Sequence, residues 1–282
     1  MVYSAPSFGE TLYTVTPFSL LPYSSADSIN ASGQVTGSAC ENRFSGAYVY
    51  SGGVLTYLAT RLVSAGHGIN ELGQVVGESA TPGRLPPGRA FFSAAPPFVE
   101  ELGTLGGPSS AAFAINNASQ ITGQADLPGG TAHAFVYSNG VMTDIGTLSG
   151  GLNSVGYAIN SLGQIVGYSA RSGGISRAFI YNNGAMTDLN LLIDPALGIT
   201  LNSANGINDS GQIIAGGTVN GAYDPLSGEV FLLTPASVEV PEPSSLAVFA
   251  SAICALAATR RRTQTADIVR KALGIVRPSR SS

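Results

Sequence analysis

Short apolar runs, each bounded by Gly, Asn, Ser or Pro, follow one another along most of the chain. Runs of this length and setting predict β-strands. They recur in a fixed order around the hexapeptide Ile-Asn-x-x-Gly-Gln, in whose third copy Ser replaces the Gly. The five asparagines of this motif are Asn30, Asn70, Asn116, Asn160 and Asn208, separated by 40, 46, 44 and 48 residues. The chain is therefore a repeat array.

Each repeat predicts four strands. The first ends at Ile-Asn, the second follows the Gln, the third holds a small-aromatic pair such as Ala134-Phe135, and the fourth is an apolar run such as VMTDI (141–145). The Asn caps the turn between the first two strands through its side chain, and the Gly adopts positive φ. Asn139-Gly140 and Asn183-Gly184 predict two-residue type I′ turns between strands three and four. Four antiparallel strands per repeat are typical of a β-propeller blade.

The two ends of the array complement each other. The fifth repeat has three predicted strands and reaches Pro235 without a fourth, whereas YTVTPFSL (13–20) aligns with the fourth-strand sequence VMTDIGTL (141–148). The predicted fold is therefore all-β. It is a five-bladed β-propeller of four-stranded antiparallel blades over residues 11–236, with the last blade closed by the N-terminal strand. Residues 1–10 are an N-terminal flank.

The repeat resembles the HAF repeat proteins of bacteria. Their His-Ala-Phe stands here as His133-Ala134-Phe135, and their D-L/I-G-T-L-G-G stands as ELGTLGG (101–107) and DIGTLSGG (144–151). The resemblance covers about four fifths of the chain. It implies an extracellular repeat protein without a defined reaction.

Residues 237–262 carry a separate signal. The motif Pro241-Glu242-Pro243 precedes the apolar stretch LAVFASAICALAAT and the cluster Arg260-Arg261-Arg262. This arrangement resembles the PEP-CTERM sorting signal. The resemblance implies processing by an exosortase, a membrane cysteine protease, in Gram-negative bacteria that make exopolysaccharide.

Residues 244–259 predict a short transmembrane helix. A helix of this stretch is about 24 Å long, which is shorter than the helix of about 20 residues that usually spans a membrane. The arginines place its C-terminal end in the cytoplasm. A buried apolar helix of the domain is the alternative, and the abutting arginines disfavour it. The basic tail 263–282 predicts either an amphipathic helix on the anionic inner leaflet or a disordered extension.

Export requires an N-terminal signal peptide, and MVYSAPSFGE shows neither a basic nor an apolar region. We expect a misplaced start or a trimmed precursor. The expected location is the cell surface or extracellular matrix, with transient anchoring in the inner membrane by the C-terminal helix.

The charge distribution limits the classes of partner that the protein can bind. Residues 1–259 carry sixteen acidic residues against six arginines and no lysine, whereas residues 260–282 carry seven basic residues. An acidic body argues against nucleic-acid binding. Two cysteines, Cys40 and Cys254, exclude a disulfide framework, and Cys40 is expected as a small buried side chain. With only two histidines, we expect neither a metal nor a cofactor.

The polar residues of the repeat have two interpretations. The hexapeptide Asn and Gln side chains could line a ligand site, but their equivalence in five copies favours turn capping and hydrogen bonds between blades. Asp144 and Asp188, at matching positions, are expected as turn or packing acceptors. His133 occupies the position of Arg177 in the next repeat, which favours a solvent-facing or packing role, and His67 is a lone histidine.

Propellers can also hold glycan-cleaving sites, which need two carboxylates. Acids that depart from the repeat are the candidates, because function is added at irregular positions. These acids are Glu41, Glu78, Glu100, Asp126 and Asp194. The favoured function is nevertheless a non-catalytic, exported binding module linked to exopolysaccharide or the cell envelope, rather than an enzyme. The alternatives are a glycan-active hydrolase or lyase and a purely structural array.

Overall fold

The computed structural model describes residues 24–41, 44–58, 63–80, 88–171, 175–220 and 229–236. The chain divides into two units, Met1–Pro235 and Ala236–Ser282. The described residues of the first unit form nineteen strands in five antiparallel sheets, four of them with four strands and the last with three. The all-β prediction and its four-stranded repeats are confirmed.

Strands that follow one another in the chain pair within each sheet. The first sheet consists of β1 Ser25–Ile29, β2 Val35–Glu41, β3 Phe44–Ser51 and β4 Val54–Tyr57. The second consists of β5 Val63–Ile69, β6 Val75–Ala80, β7 Arg89–Ala95 and β8 Phe98–Gly103. The third consists of β9 Ser110–Ile115, β10 Ile121–Asp126, β11 Ala132–Ser138 and β12 Val141–Gly146. The fourth consists of β13 Gly151–Ile159, β14 Ile165–Arg171, β15 Ser176–Asn182 and β16 Ala185–Asp188, and the fifth of β17 Ile199–Ile207, β18 Ile213–Val219 and β19 Glu229–Leu233.

Several predicted segments lie outside the described residues. They are the flank 1–10, the strand 13–20, the sorting signal from 237 to 262 with its apolar stretch 244–259, and the tail 263–282. Across the part of the chain that the structure describes, no helix has the length and hydropathy needed to cross a membrane. Two short 3-10 helices, Leu189–Leu191 and Pro195–Leu197, connect the fourth and fifth sheets.

The turns have the predicted geometry. In the hexapeptide turns, Gly33 donates its backbone N–H to the Asn30 carbonyl oxygen with φ at +74°, and the same bond recurs in every repeat. The two Asn-Gly pairs have positive φ at both residues, 52° and 81° at Asn139-Gly140, as a type I′ turn requires.

The core lies between successive sheets. Ala47, Val49 and Leu58 of the first sheet and its outer edge pack against Ile69 and Val75 of the second. The aromatic residue of each third strand is fully enclosed in the first four sheets, as Tyr48, Phe91, Phe135 and Phe179. Burial of one such ring contributes about 1.5 to 3 kcal/mol to stability. Because each sheet is covered by the next, the array is held together by its junctions.

Two sheet faces are not covered by another sheet of the described residues. Ile29 of the first sheet is 68% exposed, whereas Ile69, its equivalent in the second, is 8% exposed. On the fifth sheet Val230 is 77% exposed and Leu232 is 65% exposed, while the alanines equivalent to Val230 in the other sheets are fully buried. The first and fifth sheets therefore each expose a face whose equivalents are buried at the four internal junctions.

Candidate ligand-binding row on the first strands of the sheets

The first strand of every sheet contains a β-bulge at the same repeat position. In the third sheet Thr122 pairs with Ala114 and Gly123 pairs with Ala112, so Phe113 is the extra residue between them. The equivalent shift in the other sheets leaves one extra residue three positions before each repeat asparagine. The five bulged residues, which we call the bulge row, are Asp27, His67, Phe113, Tyr157 and Asn205.

A small residue on the second strand makes this bulge possible. A Cβ atom at Gly123 would overlap the carbonyl oxygen of Ala111 on the first strand, and Gly77 and Gly167 face the same restriction. Glycine therefore lets the two backbones approach where the register shifts. Bulges re-aim side chains and are frequent next to functional sites.

At one end of the bulge row, a histidine lies between two carboxylates. His67 Nδ1 is 3.6 Å from Asp27 Oδ2, and His67 Nε2 is 3.7 Å from Glu78 Oε1. The Nε2 atom is buried and has no hydrogen-bond partner within the described residues. His67, which is a lone histidine in the sequence, thus has the bulged Asp27 of the first sheet on one side of its ring and Glu78 of β6 on the other.

The row continues as a file of aromatic rings. The ring centroids of His67 and Phe113 are 5.6 Å apart, and those of Phe113 and Tyr157 are 5.9 Å apart, in both cases with planes tilted by 51°. Tyr168 of β14 extends the file, 5.7 Å from Tyr157 at a tilt of 43°. Rings at these separations and tilts attract each other, so they hold one another in place.

The aromatic file opens into a depression of about 480 Å³, which we call the tyrosine cleft. This volume lies within the range of about 300 to 1,000 Å³ that is usual for small-molecule sites. The described side chains that line it are uncharged, namely Tyr157, Tyr168, Ser176, Asn202, Ser203 and Asn205. Burial raises the pKa of Tyr157, and the neighbouring hydroxyl of Tyr168 raises it further. The phenol of Tyr157 therefore remains a hydrogen-bond donor in neutral solution.

The repeat asparagines form a scaffold at the junctions. The side-chain Nδ2 of Asn30 donates to Gln34 Oε1 at 2.8 Å and to the carbonyl oxygen of Asn70, in the next sheet, at 2.9 Å. The Asn70, Asn116 and Asn160 side chains make the same pair of bonds. Since these buried amides are bonded to the protein, they cap turns and join sheets. Asn208 keeps only the bonds within its own turn among the described residues.

The other predicted polar residues lie away from the row. Asp144 accepts a hydrogen bond from the Gly146 N–H at 2.7 Å and lies 2.9 Å from His133 Nδ1. Asp188 accepts hydrogen bonds from the backbone and the side chain of Asn190. Both aspartates are turn acceptors, and His133 pairs with one of them.

Several acidic residues depart from the repeat pattern. Among those whose side chains are described, only Glu78 lies at the bulge row. Asp126 accepts a hydrogen bond from the Ser109 N–H, and Asp194 caps the second 3-10 helix by accepting from Ala196 N. Glu100 lies exposed on β8, and the side chains of Glu41 and Cys40 are outside the description. In the described part of the chain, no three His, Cys, Asp or Glu side chains converge to hold a metal ion.

Comparison with known proteins defines the class of fold. No family model matches the chain, and no curated protein matches its sequence. The crystal structure of TolB from Acinetobacter baumannii is similar, with a TM-score of 0.50 at 14% identity over 74% of this chain and 51% of TolB. The chain therefore spans about half the length of that relative.

Two other solved structures show weaker likeness. An acylaminoacyl peptidase from Pyrococcus horikoshii has a TM-score of 0.42 at 13% identity, over 69% of this chain and 32% of that chain. The β-propeller domain of the Trilobed protease from Pyrococcus furiosus has a TM-score of 0.37 at 8% identity, over 77% and 83%. With its consecutive four-stranded antiparallel sheets, the chain belongs to the all-β, propeller-like class.

Proposed function

We propose that the protein is an exported, cell-surface or matrix-associated module that binds its ligand along the bulge row without chemical turnover. The proposal rests on the positions at which the five repeats differ from one another. The hexapeptide asparagine is the same in all five repeats and joins two sheets in the first four, whereas the bulge position holds Asp, His, Phe, Tyr and Asn in turn. A scaffold that repeats and a row of side chains that varies are properties of a binding platform.

The proposal assigns the ring closure to the N-terminal strand. Residues 13–20 would add the fourth strand to β19 and complete a five-bladed propeller. The exposed faces around Ile29 and Val230 support closure, because they hold apolar residues at repeat positions that are buried at the internal junctions. The amide of Asn208 would then donate to the Asn30 carbonyl oxygen and add a fifth rung to the series of asparagine bonds.

Export and anchoring rest on the C-terminal segment. Pro241, Glu242 and Pro243, the short transmembrane helix 244–259 and the arginines 260–262 would be read by an exosortase-type protease. Mass spectrometry of protein from the culture surface should find a C-terminus between Pro241 and Ser245. An intact Ser282 on that material would contradict processing.

The binding function is tested with the full chain and the exopolysaccharide of the producing bacterium. We expect the immobilised protein to retain the polymer and the size distribution of the polymer to stay unchanged. Substitution of two row residues, Tyr157→Ala with Asn205→Ala, should abolish retention. The proposal is wrong if the unaltered chain retains no polymer or if the double variant retains as much.

A glycan-active enzyme is the second candidate, and the acid end of the row favours it. Asp27 and Glu78 flank one imidazole, so two partly exposed carboxylates lie close together. Cleavage would appear as new reducing ends, or as unsaturated products of a lyase. Asp27→Asn and Glu78→Gln should each abolish such cleavage, whereas Glu100→Gln on β8 should leave it unchanged.

A further inference from the structure

We propose that the tyrosine cleft binds a neutral saccharide chain, with a sugar ring stacked on Tyr157. This inference rests on the proposed function, because it names the ligand class of the same row. A pyranose has a flat face of C–H groups and a rim of hydroxyls. Its recognition needs an aromatic surface bordered by uncharged donors and acceptors.

The aromatic surface is provided by two tyrosines on adjacent strands. Tyr157 is the bulged residue of β13 and remains 36% exposed, although Tyr168 packs beside it. Phe113 supports it on the other side at 5.9 Å. The rings are fixed by these contacts before a ligand arrives, so stacking costs little conformational entropy.

The polar border is provided by two amides and two hydroxyls. Asn202 and Asn205 lie on β17 opposite the tyrosines, and Ser176 and Ser203 complete the lining. Within the described residues neither of these two amides makes a hydrogen bond, in contrast to the repeat asparagines. An amide that both donates and accepts matches a sugar hydroxyl, which does the same.

Charge selects a neutral sugar over an acidic one. Among the described residues the cleft has no charged lining side chain, and the row leads from it to Asp27 and Glu78. Arg177, which follows Ser176 in the chain, lines a different depression with Asp188. A uronate or sulfate lying along the row would approach two carboxylates with no cation from the cleft lining to offset them.

The test uses purified full-length protein and titration calorimetry. The probes are neutral hexasaccharides of glucose, mannose, galactose and N-acetylglucosamine, with hexagalacturonate as the acidic probe. At least one neutral probe should bind, and hexagalacturonate should not. Tyr157→Ala should weaken binding about tenfold or more, which corresponds to the loss of one stacking surface. Phe98→Ala, which removes an equally large aromatic ring that is 76% exposed on β8, should leave binding unchanged.

The outcomes separate this inference from the proposed function. Tighter binding of hexagalacturonate, or no neutral probe bound, overturns the ligand class even if the producer's polymer is retained. Neutral binding that survives Tyr157→Ala overturns the cleft as its location. Asn205→Ala provides a second reading if Tyr157→Ala fails to fold, because Asn205 is exposed and its amide is unbonded within the described residues.

Discussion

The side chain of Asn116 donates a hydrogen bond from Nδ2 to the carbonyl oxygen of Asn160, 2.9 Å away and 44 residues further along the chain. Its Oδ1 accepts from the Gln120 N–H at 3.0 Å, so one amide both closes a turn and joins two sheets. In each of the first four repeats the bond points to the next repeat, which gives the array a direction. Removing such an amide should therefore affect more than its own turn.

Replacing Asn116 with Ala should lower the free energy of unfolding by about 2 to 3 kcal/mol. The substitution leaves the carbonyl oxygen of Asn160 and the N–H of Gln120 without these partners in a buried junction. Asn182→Ala is the control, since Asn182 is exposed on β15 and its side chain makes no hydrogen bond among the described residues, and it should cost less than about 1 kcal/mol. Urea denaturation measures both values. Equal losses would contradict the structural role of the inter-sheet bond.

Gly123→Ala should destabilise the protein by about 1 to 3 kcal/mol, because the added methyl group meets the Ala111 carbonyl oxygen. The backbone must then separate at the bulge that positions Phe113. Gly216→Ala in β18 is the control, since its new Cβ would have an ordinary contact of 3.5 Å with Ser203 Oγ. Thermal unfolding of the two variants should differ clearly, and equal melting temperatures would contradict the close approach.

Tyr157 should ionise at a higher pH than an exposed tyrosine, whose pKa is near 10.0. The fold favours its neutral form, so the associated stability is fully present below the unfolded pKa. It is lost as the pH rises through the raised folded value. Absorbance of tyrosinate follows the titration, and Tyr157→Phe should remove a late step. Tyr168→Phe should shift that step to lower pH, and an unchanged curve in both variants would contradict the assignment.

Asp209 should ionise below its usual pKa of 3.8, because the Ser161 N–H in the preceding repeat donates a hydrogen bond to its carboxylate at 2.8 Å. The stability from this contact is present above the unfolded pKa and is lost as the pH falls through the lowered folded value. Acid unfolding of Asp209→Asn should therefore begin from a lower stability but depend less on pH. A carboxyl resonance of Asp209 that titrates above 3.8 in a nuclear magnetic resonance experiment would contradict this prediction.

Ring closure predicts that the first and fifth hexapeptide turns meet. Ala31→Cys combined with Asp209→Cys, with Cys40 and Cys254 changed to Ser, should give a disulfide within one monomer under mild oxidation. Ala31→Cys combined with Glu71→Cys, which joins turns already in contact through a 3.0 Å hydrogen bond, is the positive control. Cross-linked dimers from the first pair would instead mean that the two exposed faces meet between copies. The absence of any cross-link would also contradict closure.

Much of the sheet architecture could be predicted from the hexapeptide. Its Asn and Gly determine a turn, the flanking apolar runs are too short for helices, and the spacing allows four strands per repeat. The structure places β19 at Glu229–Leu233, the predicted third strand of the last repeat, and ends that sheet without a fourth strand within the described residues.

The bulge row could not be predicted from the same signals. A bulge leaves the apolar pattern almost unchanged, because it depends on how two backbones pair, and His67 consequently looks isolated in the sequence. One signal was nevertheless available. Three residues before each repeat asparagine, five otherwise similar segments hold five different side chains, including two that can carry charge and two that are aromatic.

Because a bulged residue has no paired residue on the neighbouring strand, its side chain can be exchanged without altering the hydrogen bonds around it. Each repeat thus contributes one exchangeable side chain to a common surface, in the order in which the repeats follow along the chain. Five substitutions, at residues 27, 67, 113, 157 and 205, would rewrite the chemistry of that surface while the asparagine series remained intact. The five bulge positions can therefore change the chemistry of the surface independently of the hydrogen bonds that hold the sheets together.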